Sequence, residues 1–165
     1  MPDARERRRL ALPTLTGFTS GTVDWSAVLD APCAPDHLFR YVNDLGSYPK
    51  WLGLVDRAAP TDDDAWVVDL RARVGPFARS KRLRMLRTVS TKPSLAVFER
   101  REGDGKRHAV WVLRAEVALT ETGSRLTMHL TYTGGMLGAV VERILEDQID
   151  DGRRRLLALI AADDA

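Results

Sequence analysis

Arg87, Tyr132 and Arg100 are the side chains of this sequence whose types and positions suggest chemistry on a bound molecule. Strict alternation in the segment 81–87 sets Lys81, Leu83, Met85 and Arg87 on one face of a strand. A guanidinium on an apolar face is costly unless something compensates it. Two readings of Arg87 stand. It is a structural partner of a nearby carboxylate, or a barrel-mouth residue whose head reaches water. Alternatively it is a polar anchor that grips a carboxylate, phosphate or ketone oxygen. Tyr132 carries a hydroxyl that could bond a ligand, act as an acid, or simply bond backbone near a strand end. Arg100 joins them if the segment 94–102 turns it inward.

Other reactive side chains form no site. Glu116 and His129 resemble an acid/base pair, but they fall on the outer face of a hairpin, where such a contact is worth a few tenths of a kcal/mol. His37, in the first turn of a helix, and His108, near a hairpin tip, are expected to be exposed. No two histidines have metal-ligand spacing, and no Ser/His/Asp order stands out. The one cysteine, Cys33, rules out an internal disulfide and a multi-cysteine zinc site. Neither metal nor cofactor is expected.

The elements that must position these residues follow from periodicity. Val23, Trp25, Ala27 and Leu29 alternate with polar residues in a first strand that Pro32 and Pro35 stop. Pro35 and Asp36 suit a helix start, and Leu38, Phe39, Val42 and Leu45 recur at helical spacing until Gly46. A second short helix or turn carries Tyr48, Pro49 and Trp51. Strands are predicted over 54–59, 65–74, 79–90, 94–102, 106–120 and 124–133, with turn residues between them, as in an antiparallel meander. Leu137, Val141, Leu145, Ile149, Leu156 and Ile160 then form the stripe of a long last helix. Gly152 interrupts it, for close packing or for a bend.

A turn over 75–78 predicts Arg71 opposite Arg82, and therefore Arg87 beside Trp66 on the inner face. In the last hairpin, Leu119 is expected opposite Leu126 and Leu113 opposite Tyr132. The result is an α+β domain, an antiparallel sheet with helices on one face. A long helix across a curved sheet leaves a gap, and such gaps hold ligands.

The 165 residues, 44% hydrophobic and 29% charged, fit one soluble globular domain. Residues 1–20 are read as a flexible arm and 21–165 as a single ligand-binding domain. No signal peptide or membrane span is evident, so a cytoplasmic location is expected. Net charge is only +2, yet eight cationic residues and no acidic one lie between Asp69 and Glu99. Arg71, Arg73, Arg82 and Arg84 are expected on the outer sheet face, as a solvated surface or a peripheral contact with anionic membrane or a partner. The predicted outer face lacks interleaved aromatics, and no recognition motif is present, so no nucleic-acid partner is expected.

The runs Val28-Leu29-Asp30-Ala31-Pro32, Asp36-His37-Leu38-Phe39-Arg40-Tyr41-Val42 and Asp44-Leu45-Gly46-Ser47-Tyr48-Pro49-Lys50-Trp51 resemble the START/SRPBCC superfamily. So do the strand around Trp111 and the run Tyr132-Thr133-Gly134-Gly135. The nearest likeness is to its polyketide cyclase/dehydrase and lipid-transport branch. The resemblance implies a helix-grip fold: a curved antiparallel sheet wrapped around a long C-terminal helix, with two short helices after the first strand. It also implies a hydrophobic small molecule, such as a lipid, sterol or polyketide, bound between sheet and helix. The expected lining is Trp66, Val68, Leu70, Met85, Arg87, Phe98, Trp111, Leu113, Met128, Leu130, Tyr132, Leu137 and Val141. Two alternatives are a polyketide aromatase/cyclase using Arg87 or Tyr132, and an interaction protein using the basic sheet face.

Overall fold

The computed structural model describes residues 22–133 and 138–165, the side chains of Val74 and of residues 138–141 excepted. The expected arm over 1–20, and Leu137 and the Val141 side chain, lie outside the described residues. Strand β1 (Thr22–Ala31) leads through Pro32 to helix α1 (Pro35–Val42). Pro35 stands at the helix start and Asp36 in its first turn, while Leu38, Phe39 and Val42 are buried. The helix ends four residues before Gly46, because the Asp44 carboxylate accepts the Gly46 amide at 2.8 Å and starts a separate 3-10 turn, Leu45–Lys50. The freed end of α1 is closed by side chains. The Tyr48 hydroxyl donates to the Val42 carbonyl at 2.9 Å, and Ser47 and Trp51 donate to that of Tyr41 at 2.6 and 3.3 Å.

Six strands follow: β2 (Val55–Pro60), β3 (Ala65–Val74), β4 (Phe77–Thr91), β5 (Leu95–Arg100), β6 (Trp111–Thr120) and β7 (Gly123–Thr133). They form a meander that β1 completes by pairing antiparallel with β7, in the order β1-β7-β6-β5-β4-β3-β2. Helix α2 (Gly138–Asp163) packs on β1, β3 and α1, burying Leu145, Leu156 and Ile160. Gly152 lies against Trp51 and Leu52 of the turn after α1, so close packing accounts for it.

Two hairpins turn elsewhere than the sequence spacing suggests, the first more tightly and the second one residue earlier. Val74 pairs with Phe77 around Gly75-Pro76, and Gly75 adopts a φ of 59° that glycine tolerates freely. Arg82 therefore faces Asp69, not Arg71, and Arg71 faces Ser80. Thr120 pairs with Gly123 around Glu121-Thr122, so Leu113 faces Leu130, and Trp111 takes the place opposite Tyr132. A Cβ on Gly123 would stand 2.2 Å from the Ala31 carbonyl oxygen, which fixes glycine there. Each register differs from expectation by two residues. Every side chain keeps its face and changes its partner.

Candidate functional site

Inner faces of the sheet, the underside of α2 and the turn after α1 enclose a cavity of about 120 Å³. Of the expected lining, Val68 and Leu70 of β3, Met85 of β4, Trp111 and Leu113 of β6, and Met128 and Leu130 of β7 are present. The wall also includes residues not expected there. Trp25 and Leu29 come from β1, Leu83 from β4, Tyr48 and Trp51 from the turn, and Ile149 and Leu156 from α2. The sequence placed the β1 and α2 residues on core-facing stripes, but not the turn that closes the cavity from the side. The wall is apolar. Arg153 is its one charged residue among those described, and its guanidinium is tied to the Val28 carbonyl at 2.9 Å and to Asp150 at 3.1 Å. An apolar void of about 150 Å³ is enough to take up benzene, so this one matches about one ring or a short alkyl chain.

Trp66, Phe98, Arg87 and Tyr132, all expected in the lining, do not line the cavity. Phe98 is fully buried, with its ring edge-on to Trp66 at 5.6 Å and to Tyr48 at 6.4 Å. Arg87 lies over Trp66, 5.4 Å from the ring centre. The tighter hairpin pairs Ala65 with Leu86 and carries Arg87 past the start of β3, where its amide donates to the Asp64 carbonyl at 3.0 Å. Its guanidinium forms a fork on the Asp64 carboxylate, at 2.6 and 3.1 Å, and donates to the Asn43 carbonyl at 2.6 Å. Of the two readings of Arg87, the geometry is that of the ion pair.

Six residues along the same strand, a second inner-face cation has a different environment. Lys81 sits opposite Leu70, with its ammonium 5.7 Å from the Trp111 ring centre and 5.8 Å from that of Tyr132. Trp111 and Tyr132 are themselves 4.7 Å apart, centre to centre. Among the described residues, Lys81 has no carboxylate within ion-pair distance. The nearby Glu102 accepts from Arg100 at 2.7 Å and from the Arg84 amide at 3.3 Å. Arg100 does turn inward, with its side chain only 9% exposed. Burial, reinforced by Arg100 and opposed by Glu102, holds the Lys81 ammonium below its ordinary 10.5. Among the described residues the buried Trp111 indole N–H beneath it meets no acceptor, an omission that costs ~1–3 kcal/mol. The alternation that placed Arg87 inward placed Lys81 inward as well. What the sequence lacked was the curvature that brings β4 over β6 and β7.

The remaining polar candidates are structural contacts. Glu116 faces Thr127 and pairs with Arg114, while His129 faces Arg114, so the expected Glu116–His129 pair does not form. His37 is not exposed as expected. Its side chain is 14% exposed and bonds Asp163 at 3.3 Å and Asp164 at 3.4 Å. His108 bonds Asp104 at 2.8 Å, and its side chain is 28% exposed. Tyr41 also donates to Asp163, and burial followed by that contact pushes its hydroxyl up to about 12. The basic outer face is partly neutralised: Arg82 pairs with Asp69 at 2.6 Å and Arg84 with Asp63 at 3.2 Å. No cluster of metal-ligating side chains occurs among the described residues. No described helix is long and apolar enough to cross a membrane.

A family model described as polyketide cyclase/dehydrase and lipid transport matches residues 31–156. No curated protein matches the chain. Solved structures do. The di-domain ARO/CYC StfQ of the steffimycin biosynthetic pathway superposes with a TM-score of 0.61 at 16% identity over 87% of this chain. This chain spans about half of that protein, 52% of its length. A START superfamily protein from Mycobacterium smegmatis superposes with a TM-score of 0.61 at 13% identity, over 87% of this chain and 99% of its own. A protein from Nitrosomonas europaea gives 0.65 at 10% identity, over 86% and 96%. At these identities the likeness is one of fold.

Proposed function

The chain belongs to the polyketide cyclase/dehydrase and lipid transport family, and from that premise we propose that it binds a hydrophobic small molecule in the cavity beneath α2. The observation that carries this reading is the apolar void itself. Side chains from six strands, the turn after α1 and the last helix converge on it and leave it unfilled, although protein interiors otherwise pack to crystal density. Burying apolar ligand surface there yields about 25 cal/mol per Å² before ordering costs.

A polyketide cyclase is the alternative that the family description and the likeness to an ARO/CYC protein suggest. Cyclisation needs several polar groups converging on the substrate carbonyls. Here the described wall is apolar, and the inward-facing Lys81 and Tyr132 are not part of it. Binding is therefore the better-supported function.

Benzene, a neutral apolar ligand of one ring, tests the reading in a calorimetric titration. Saturable binding is expected for the wild type. Leu113→Trp, which adds bulk at the void, removes the binding and leaves the cooperative melt intact. A wild type that shows no saturable uptake contradicts the proposal.

A further inference from the structure

Strands β3 and β4 outrun the sheet. β2 pairs with β3 no further than Leu70, and β5 meets β4 only from Met85 onward. Beyond those points Arg71–Val74 and Phe77–Ser80 pair with each other as a two-stranded ribbon. Apart from half-buried Ala72, its described side chains are exposed. A Cβ on Gly75 would meet nothing within 4 Å, so the tip stands in open space. There Phe77 is 68% exposed. Behind it lie Arg71, Arg73 and Arg79, and among the described residues none of the three has a carboxylate within ion-pair distance, whereas Arg82 and Arg84, nearer the sheet, are paired with Asp69 and Asp63. Charges alone on such a ribbon would protect it from pairing with another chain. An aromatic side chain at its apex does the opposite and invites association.

We propose that this ribbon docks the protein on an anionic lipid bilayer, with Phe77 entering the headgroup layer and Arg71, Arg73 and Arg79 holding lipid phosphates. Charge complementarity carries the choice of occupant, since no acidic residue lies between Asp69 and Glu99 to neutralise these cations locally. The spacing fits as well. A strand rises about 3.4 Å per residue, so Arg79 stands on the same face about 7 Å behind Phe77. Arg73, opposite Ala78, stands between those two levels. An apolar side chain that reaches about 5–10 Å into the headgroup and acyl boundary leaves these guanidiniums level with the phosphates, which their planar forks match. An acidic protein surface would use the arginines but gives Phe77 no apolar medium to enter. The contact differs from the one expected through Arg71, Arg73, Arg82 and Arg84: the last two drop out because they are paired, and Phe77 and Arg79 take their place. No ribbon residue lines the cavity, so the proposal stands independently of the cavity reading.

Co-sedimentation with vesicles of equal parts phosphatidylglycerol and phosphatidylcholine, set against pure phosphatidylcholine, tests it. Binding to the anionic vesicles alone is expected, and it weakens as sodium chloride rises from about 0.1 to about 0.5 M. Arg73→Gln and Arg79→Gln each lose about five-fold. Phe77→Ala loses about ten-fold and leaves the salt dependence unchanged. Arg154→Gln, which removes the same charge from the C-terminal half of α2, stays within about two-fold of wild type. The substituted side chains are exposed, so thermal melts are expected to match the wild type. Absence of binding to the anionic vesicles, equal binding to neutral ones, wild-type binding by Phe77→Ala, or an equal loss in Arg154→Gln overturns the proposal. So does an oligonucleotide that binds through Arg73 and Arg79 while the vesicles do not.

Discussion

Arg87 and Lys81 lie on the same face of the same strand, and each holds its cationic head over a tryptophan, at 5.4 and 5.7 Å. Arg87 has a carboxylate fork and a backbone carbonyl, and its tryptophan packs on a filled aromatic cluster with Phe98. Among the described residues Lys81 has no carboxylate within ion-pair distance, and its tryptophan borders the cavity and has an indole N–H that meets no acceptor. Residue type and strand face are therefore poor guides to a side chain's surroundings. What separates the two cations is whether the fold supplies the counter-charge.

The largest effect that probes this contrast is expected at Arg87. Arg87→Met strands Asp64 and the Asn43 carbonyl and is expected to cost about 1–3 kcal/mol in urea denaturation, without changing ligand uptake in the cavity. A mutant of unchanged stability with impaired uptake would reverse the structural assignment of Arg87. Lys81→Met comes next. Replacing a half-buried, unpaired ammonium by an apolar side chain is expected to keep stability within about 1 kcal/mol of wild type, or to raise it. A loss as large as that of Arg87→Met would make Lys81 structural too.

The smallest effect is at the far end of α2, where the contacts of Asp163 calibrate what an exposed pair is worth. Hydrogen bonds from Tyr41 and then His37 hold the Asp163 carboxyl below its ordinary 3.8. Its contribution is present in full above that value and is lost as the pH falls through the folded-state value. Tyr41→Phe is accordingly expected to lower the melting temperature slightly at neutral pH, and the difference from wild type closes in acid. A difference that persists unchanged at about pH 2 would assign it to packing instead.

Most of the fold was legible because alternation and helical spacing depend on neighbours in the chain. β1, the meander and α2 lie close to where periodicity put them. Turn geometry was not legible to the residue. Gly75-Pro76 closes its hairpin with two residues where four were expected, and that difference moved Arg87 from opposite Trp66 to beside Asp64. The apolar wall residues of β3, β6 and β7 were readable because a slip of two preserves the face. The pairing of Lys81 with Trp111 was not. It crosses from β4 to β6 over the inside of a curved sheet, and no local pattern encodes that approach.

The most direct test of the account is the indole N–H spectrum of the ¹⁵N-labelled protein, titrated with benzene. The Trp111 resonance, assigned by its absence in Trp111→Phe, is expected to shift as benzene saturates, because the Trp111 ring borders the cavity. The Trp66 resonance, beside the closed Arg87–Asp64 pair, is expected to stay in place. A Trp111 signal that does not respond to saturating benzene would contradict the assignment of a ligand to this cavity.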